Sequence, residues 1–222
     1  MADRYLVRVR FFGEERDIRE FIQPWSSPVA EVAGRLPAGK DEAVLAAWEY
    51  VQQHVAYPLV EPYDYRYQEA FIRSRGGIRV FEPRVALLSE TRYDYWQMPA
   101  ETLAERTGDC EDASMLLCSI LRARLSPGEV FVTVGTWQGY GHAWVTVAGS
   151  GGLHVVETTR APQEPLRLEG TPYVPYVRFN DVAFREVRRG LLEGVRPRYR
   201  VEVGRLKSNR RVKEKMALLT RP

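Results

Sequence analysis

The 222-residue chain has two cysteines, and it has no apolar run near the ~20 residues of a membrane span. Cys110 and Cys118 are eight apart on one predicted helix, so their Cα atoms lie roughly 12 Å apart, beyond disulfide reach. A disulfide-stapled scaffold is therefore excluded, and both thiols are expected free. There is no internal repeat, no low-complexity segment and no Pro/Gly/Ser-rich linker to split the chain. That leaves one large domain, or one domain with extensions, with ample residues for a core. The stretch Met1 to Arg8 is charged and has no signal-peptide core, which makes a cytoplasmic address the expectation. An apolar content of 45% beside 27% charged residues is that of an ordinary globular protein, not of a disordered one.

What is present is organised around Gly108-Asp109-Cys110-Glu111-Asp112-Ala113. Asp109 is a good helix N-cap, and Asp112 three residues later makes a variant capping box. Ala113, Leu116, Leu117, Ile120 and Leu121 follow at helical spacing, so the predicted helix buries one face. Cys110 falls at the first turn, where the helix dipole favours negative charge and lowers a thiol's pKa. A free cysteine by itself is more often a small core residue. Cys118, further along, is expected to be that core thiol.

Tyr5 to Phe12 alternates as a strand, and Gln23 to Pro28 reads as a loop. Asp41 to Val55 is predicted helical, with Val44, Leu45, Trp48, Val51 and Val55 on one face; His54 there serves packing or the surface. Tyr57 to Tyr95 is aromatic and irregular, with a turn at Gly76-Gly77, and would suit either a groove wall or a packed insertion. A short helix is predicted from Pro99 to Arg106. After Pro127-Gly128 the period changes to two. Val130 to Trp137, His142 to Ala148 and Leu153 to Thr159 form a predicted antiparallel meander, turning at Gln138 to Gly141 and Gly149 to Gly152. Tyr173 to Phe179, interrupted by Pro175, is expected at a sheet edge. Tyr199 to Val203 reads as a strand and Asn209 to Leu219 as a terminal helix.

Charge is uneven. Residues 185–222 carry 13 Lys+Arg against 4 Asp+Glu, a balance of +9, and the remaining residues carry 19 against 25, a balance of −6. No aromatic interleaving or nucleic-acid motif accompanies the basic tail. Self-docking or a solvated face is therefore favoured over nucleic acid, and the tail's partner stays open.

A cysteine nucleophile needs a base, and the base needs an orienting acceptor. Pairing Ala148 with Leu153 across the second hairpin sets Trp144 opposite Glu157 and His142 opposite Thr159. Alternation then puts His142, Trp144, Val155 and Glu157 on one face, with His142 and Glu157 diagonal neighbours. A slip of one residue would separate them. The cysteine helix is expected on that same face, with the Cys110 sulfur within reach of the His142 imidazole.

The blocks Gly108 to Ala113, Gly141-His142-Ala143-Trp144-Val145 and Val155-Val156-Glu157-Thr158-Thr159, in this order, resemble the transglutaminase-like superfamily. With Trp96-Gln97-x-Pro99-x-Glu101-Thr102-Leu103 ahead of the cysteine, the chain is most similar to the bacterial transglutaminase-like cysteine proteinases. The resemblance spans about residues 41–160. It implies a papain-like α+β fold with the cysteine helix packed on an antiparallel sheet. With the charge asymmetry, the expected division is a transglutaminase-like domain with an N-terminal extension over 1–184, its core about 41–160, and a basic C-terminal extension over 185–222. It also implies Cys110 as nucleophile, His142 as general base and acid, and Glu157 as orienter. In the family that third residue is most often Asp followed by Pro and Thr; glutamate is one methylene longer and can orient in the same way. Most bacterial proteinase members are exported, whereas a cytoplasmic address is the expectation here, so their substrates are not carried over.

For an oxyanion hole the Cys110 N–H is one donor, and the resemblance offers the Gln97 amide or the Trp96 indole as the second; core packing suits Trp96 equally. Asp109, Glu111 and Asp112 have two readings. They cap the helix and pair with Arg106, or they hold calcium as related proteinases do. Two or three carboxylates fall short of the six to eight oxygens calcium takes, so capping is favoured and no cofactor is required. The expected activity is acyl transfer from a peptide or protein amide through a thioester, as a peptide or isopeptide hydrolase. The same residues would serve an amine acceptor, as in a transglutaminase. A protein-binding module that has lost turnover is the alternative of another class.

Overall fold

The computed structural model describes residues 5–7, 9–10, 15–57, 95–149, 152–159, 166–167 and 172–187. Two short paired strands, β1 (Leu6–Val7) and β2 (Arg16–Asp17), lead into a 3-10 turn at Ile18–Phe21. Helices α1 (Ser27–Gly34), α2 (Lys40–His54), α3 (Pro99–Glu105) and α4 (Cys110–Arg122) follow. The strands β3 (Val130–Trp137), β4 (Tyr140–Gly149), β5 (Gly152–Val156), β6 (Leu166–Arg167), β7 (Tyr173–Phe179) and β8 (Phe184–Glu186) make one antiparallel sheet, in the order β6-β5-β4-β3-β7-β8. The architecture is α+β, with the cysteine at the start of a helix packed on an antiparallel sheet. Most of the aromatic stretch Tyr57 to Tyr95, with its Gly76-Gly77 turn, lies outside the described residues. So do Phe11 and Phe12 of the first expected strand, the elements expected at Tyr199 to Val203 and Asn209 to Leu219, and the basic extension beyond Val187.

The α4 helix starts where its caps require. The Asp109 carboxylate accepts the Glu111 N–H at 3.2 Å, and Asp112 reaches back to the Asp109 N–H at 3.2 Å, completing the capping box. The helix buries more than the one face its apolar spacing predicts: every residue from Cys110 to Leu121 is buried. Its polar side is covered because each hydroxyl there has a partner. Ser119 Oγ donates to the Met115 carbonyl (2.7 Å) and accepts the Gln23 N–H (3.0 Å), while Ser114 meets the Thr158 hydroxyl at 3.1 Å. Leu116, Leu117, Ile120 and Leu121 are fully buried, each contributing about 1.5–3 kcal/mol of transfer free energy.

Helix α2 packs through Ala43, Val44, Ala47 and Val51, and Leu45, expected on that face, is exposed instead. The expected loop Gln23 to Pro28 ends in α1, whose Pro28 sits in the first turn, where the missing N–H costs nothing. Val29, Val32 and Ala33 then face the core.

The meander has the derived register: Ala148 pairs with Leu153 and Val145 with Val156. Its second turn is tighter than expected, because Gly149 and Gly152 also pair. The first turn is two residues, Gln138 and Gly139, with φ of 50° and 83°, the left-handed pair that matches strand twist. Strand β7 is not at the edge; it lies between β3 and β8. The ladder shifts at Val134/Gly135, where Gly135 pairs with Pro175, so the proline occupies a bulge that spares it a ladder N–H.

The sheet's two faces bury different things. Val130, Val132, Val134, Ala143, Val145, Val147, Val156, Val177 and Phe179 join the α4 side chains in the main core. Trp144, Val155 and Tyr173 form a separate cluster on the other face, with Trp137 packed against it. The cysteine helix therefore packs opposite to the face expected for it. An even surface of valine and alanine accommodates a helix along its length, whereas the face bearing Trp144 is filled by its own aromatic rings.

Candidate active site

Glu157 lies immediately after β5, where the strand ends and the chain bends. Its side chain is buried and held by both oxygens. Oε2 is 2.8 Å from His142 Nε2 and accepts the Tyr173 hydroxyl at 2.7 Å. Oε1 accepts the Thr159 N–H at 2.8 Å and the Thr159 hydroxyl at 3.1 Å. Burial pushes the carboxyl up, but these bonds and the proximity of His142 outweigh it, so Glu157 lies below the usual carboxylate range. The backbone is clamped from α2: Trp48 Nε1 donates to the Glu157 carbonyl at 2.6 Å, and the Gln52 amide to the Thr158 carbonyl.

His142, near the start of β4, is also buried. Its ring is 6.1 Å from the rings of Trp144 and Tyr173, on the aromatic face. Among the described residues the hydrogen bond it makes is the one to Glu157 through Nε2. That leaves Nδ1 as the nitrogen for proton exchange with a substrate or nucleophile.

Cys110 stands at the first position of α4 and is only 5% exposed. Its Sγ donates to Glu111 Oε2 at 2.8 Å. The two segments are tied together one turn along α4. Ser114, one turn after Cys110, bonds Thr158, the neighbour of Glu157. Cys118 is fully buried, and burial pushes its thiol far above the ordinary value.

The other sequence candidates fall as follows. Trp96 is enclosed in the core, edge-on to Phe21 at 5.4 Å and parallel to Phe179 at 6.4 Å. The Gln97 amide donates to the Thr107 carbonyl at 3.0 Å, and its backbone N–H to Asp112 Oδ1 at 2.8 Å. Asp112 thus ties the strap before α3 to the start of α4, and Arg106 is exposed. Asp109, Cys110 and Glu111 bring one donor atom each within 4.8 Å of one another. With Asp112 committed to backbone N–H groups, Asp109 and Glu111 are the carboxylates that would hold a cation, and calcium would need loop carbonyls and water to complete its shell.

Tyr173 and Thr159 join the site without having been singled out as site residues from the sequence. Thr159 could be suspected, because a hydroxyl two residues after a carboxylate closes a local turn. Tyr173 could not, since only the tertiary fold brings β7 beside the end of β5.

No protein-family model matches the chain. Over 98 residues it is 33% identical to the Centrosomal protein of 76 kDa of Pongo abelii and of Homo sapiens, a match covering 38% of this chain and 14% of each relative. The chain therefore spans about one seventh of the length of the curated relatives it matches. Among solved structures, it is similar to Legionella pneumophila LapG in its calcium-bound form, with TM-score 0.40 and 16% identity over 75% of this chain and 88% of that one. The EGTA-treated form of LapG gives TM-score 0.41 and 16% identity over 76% and 88%. A further LapG structure gives TM-score 0.41 and 15% identity over 80% and 97%.

Proposed function

We propose that this chain is a cysteine-dependent acyl-transfer enzyme of the transglutaminase-like superfamily, acting as a peptide or isopeptide hydrolase on a protein substrate. The observation that supports the reading is the buried His142–Glu157 hydrogen bond, with Thr158, the neighbour of Glu157, bonded to Ser114 one turn into the helix that begins with Cys110. An ionised carboxylate on Nε2 fixes the tautomer and orientation of the imidazole and stabilises its protonated form.

In the reaction, the Cys110 side chain turns from Glu111 toward His142, and Nδ1 takes the Sγ proton. The thiolate attacks the amide carbon, and the oxyanion is received by the Cys110 N–H at the start of α4. His142 returns the proton to the departing amine, leaving a thioester on Cys110. Water, deprotonated by His142, then attacks the thioester and releases the acid; an amine in place of water would give transamidation. A cation held by Asp109 and Glu111 would neutralise the carboxylates beside the thiol.

A non-catalytic protein-binding module is favoured by one feature, the burial of Cys110 with its thiol bonded to Glu111. Iodoacetamide labelling near neutral pH separates the two readings. Cys110 is expected to react far faster than Cys118, and His142→Ala to slow it by leaving the thiol without its base. Equal labelling of both cysteines in the folded protein would overturn the enzymatic reading.

A further inference from the structure

We infer that Tyr173 is a positioning residue of this site, whose hydroxyl shares Glu157 Oε2 with His142 and so limits the negative charge that Glu157 presents to the imidazole. The inference rests on the proposed pairing of His142 with Cys110, and it adds a residue that this pairing does not require. Two donors converge on one oxygen, His142 Nε2 at 2.8 Å and Tyr173 OH at 2.7 Å. The phenol is buried, and its ring is edge-on to Trp144 at 5.0 Å, so it is held in place by packing. Each hydrogen bond to a carboxylate oxygen withdraws part of its charge and weakens it as an acceptor for the other donor.

The carboxylate does not depend on Tyr173 for its orientation. Thr159 holds Oε1 through both N–H and hydroxyl, and α2 holds the backbone. Removing the phenol hydroxyl would therefore leave Glu157 in place with more charge on Oε2, and the protonated imidazole would be favoured. The groups facing Glu157 are His142 from β4, Tyr173 from β7 and Thr159 beside it; α2 contributes the neutral Trp48 and Gln52, and α4 contributes Ser114 through Thr158. The charged groups of the α4 first turn, Asp109, Glu111 and Asp112, are engaged by the helix cap and the Cys110 thiol. For a hydrolase, the effect of the hydroxyl is to let His142 give up its proton to the leaving amine more readily.

The test is an NMR titration of the imidazole rings in the full-length chain, which has three histidines, so His142→Ala assigns the resonance. Tyr173→Phe keeps the ring against Trp144 and removes only the hydroxyl. The His142 titration midpoint is expected to rise by ~0.5–1 pH unit. Thr159→Val, which takes a hydroxyl from the other oxygen and leaves the N–H, is expected to give a smaller rise. An unchanged midpoint in folded Tyr173→Phe, or a larger shift from Thr159→Val, would overturn the inference. The NMR readout needs no turnover. Alkylation of Cys110 that is indifferent to His142→Ala would instead overturn the enzymatic reading, so the two failures are distinct.

Discussion

Replacing Glu157 with alanine exposes how much the site contributes to the fold. The substitution removes an acceptor from four hydrogen bonds at once, those of His142 Nε2, the Tyr173 hydroxyl, and the Thr159 N–H and hydroxyl. Summing the cost of each orphaned donor would overshoot, because Thr159 is partly exposed and can turn to water. His142 and Tyr173 are buried and cannot. The loss is therefore bounded by that of breaking a buried ion pair, about 3–5 kcal/mol. With a urea slope of ~2 kcal/mol per molar, the unfolding midpoint at pH 7 is expected to fall by roughly 1.5–2.5 M.

The pH dependence has a definite sign. The folded carboxyl lies below its ordinary value of 4.5, so its contribution is fully present above that value and is lost as pH falls through the folded one. The carboxyl's share of the gap between wild type and Glu157→Ala should accordingly be lost in acid, as pH falls through the folded carboxyl's value. Glu157→Gln, which keeps acceptor capacity for Thr159 but loses the charge, should fall between the two. Urea melts followed by circular dichroism at pH 7 and at stepwise lower pH provide the measurement. A destabilisation under about 1 kcal/mol at pH 7, the scale of one ordinary exposed interaction, would refute the claim that this carboxylate is buried and fully engaged.

Other outcomes follow from the same geometry. Asp112→Ala removes the acceptor for the Asp109 and Gln97 N–H groups and should cost about 1–2 kcal/mol in a urea melt; a neutral result would mean that the capping box is not formed. Gly135→Ala would place a Cβ 2.1 Å from the Val174 carbonyl oxygen and 2.9 Å from the Trp144 ring, so it should destabilise by ~1–3 kcal/mol through overpacking at the bulge. With the acidic residues serving as a helix cap, neither millimolar calcium nor EGTA should shift the melting temperature. A calcium-dependent rise of several degrees would instead assign Asp109 and Glu111 to a cation.

Short-range chemistry was legible in the sequence. Asp109 and Asp112 act on backbone N–H groups within three residues, so the start of α4 and the place of Cys110 at its first turn followed from local spacing. The meander's register followed in the same way, since alternation and the turn residues leave one pairing that keeps both strands' buried faces aligned, and that pairing made His142 and Glu157 neighbours. The start of α1 was also written locally, as a proline in a first turn followed by apolar residues three and four apart, but it was hidden inside what read as a loop.

Contacts between elements were decided only by the tertiary structure. Alternation says that His142 and Ala143 point to opposite faces; it does not say which face a helix will cover. That choice depends on surface shape, and the flat row Ala143, Val145 and Val147 won the helix while Trp144 went to its own cluster with Tyr173. Pro175 read as an edge signal because sequence counts the missing donor, whereas the β3–β7 bulge supplies a position that needs none. Tyr173 reached Glu157, and the Cys110 thiol turned to Glu111, for reasons of three-dimensional proximity and shared burial that no spacing along the chain encodes.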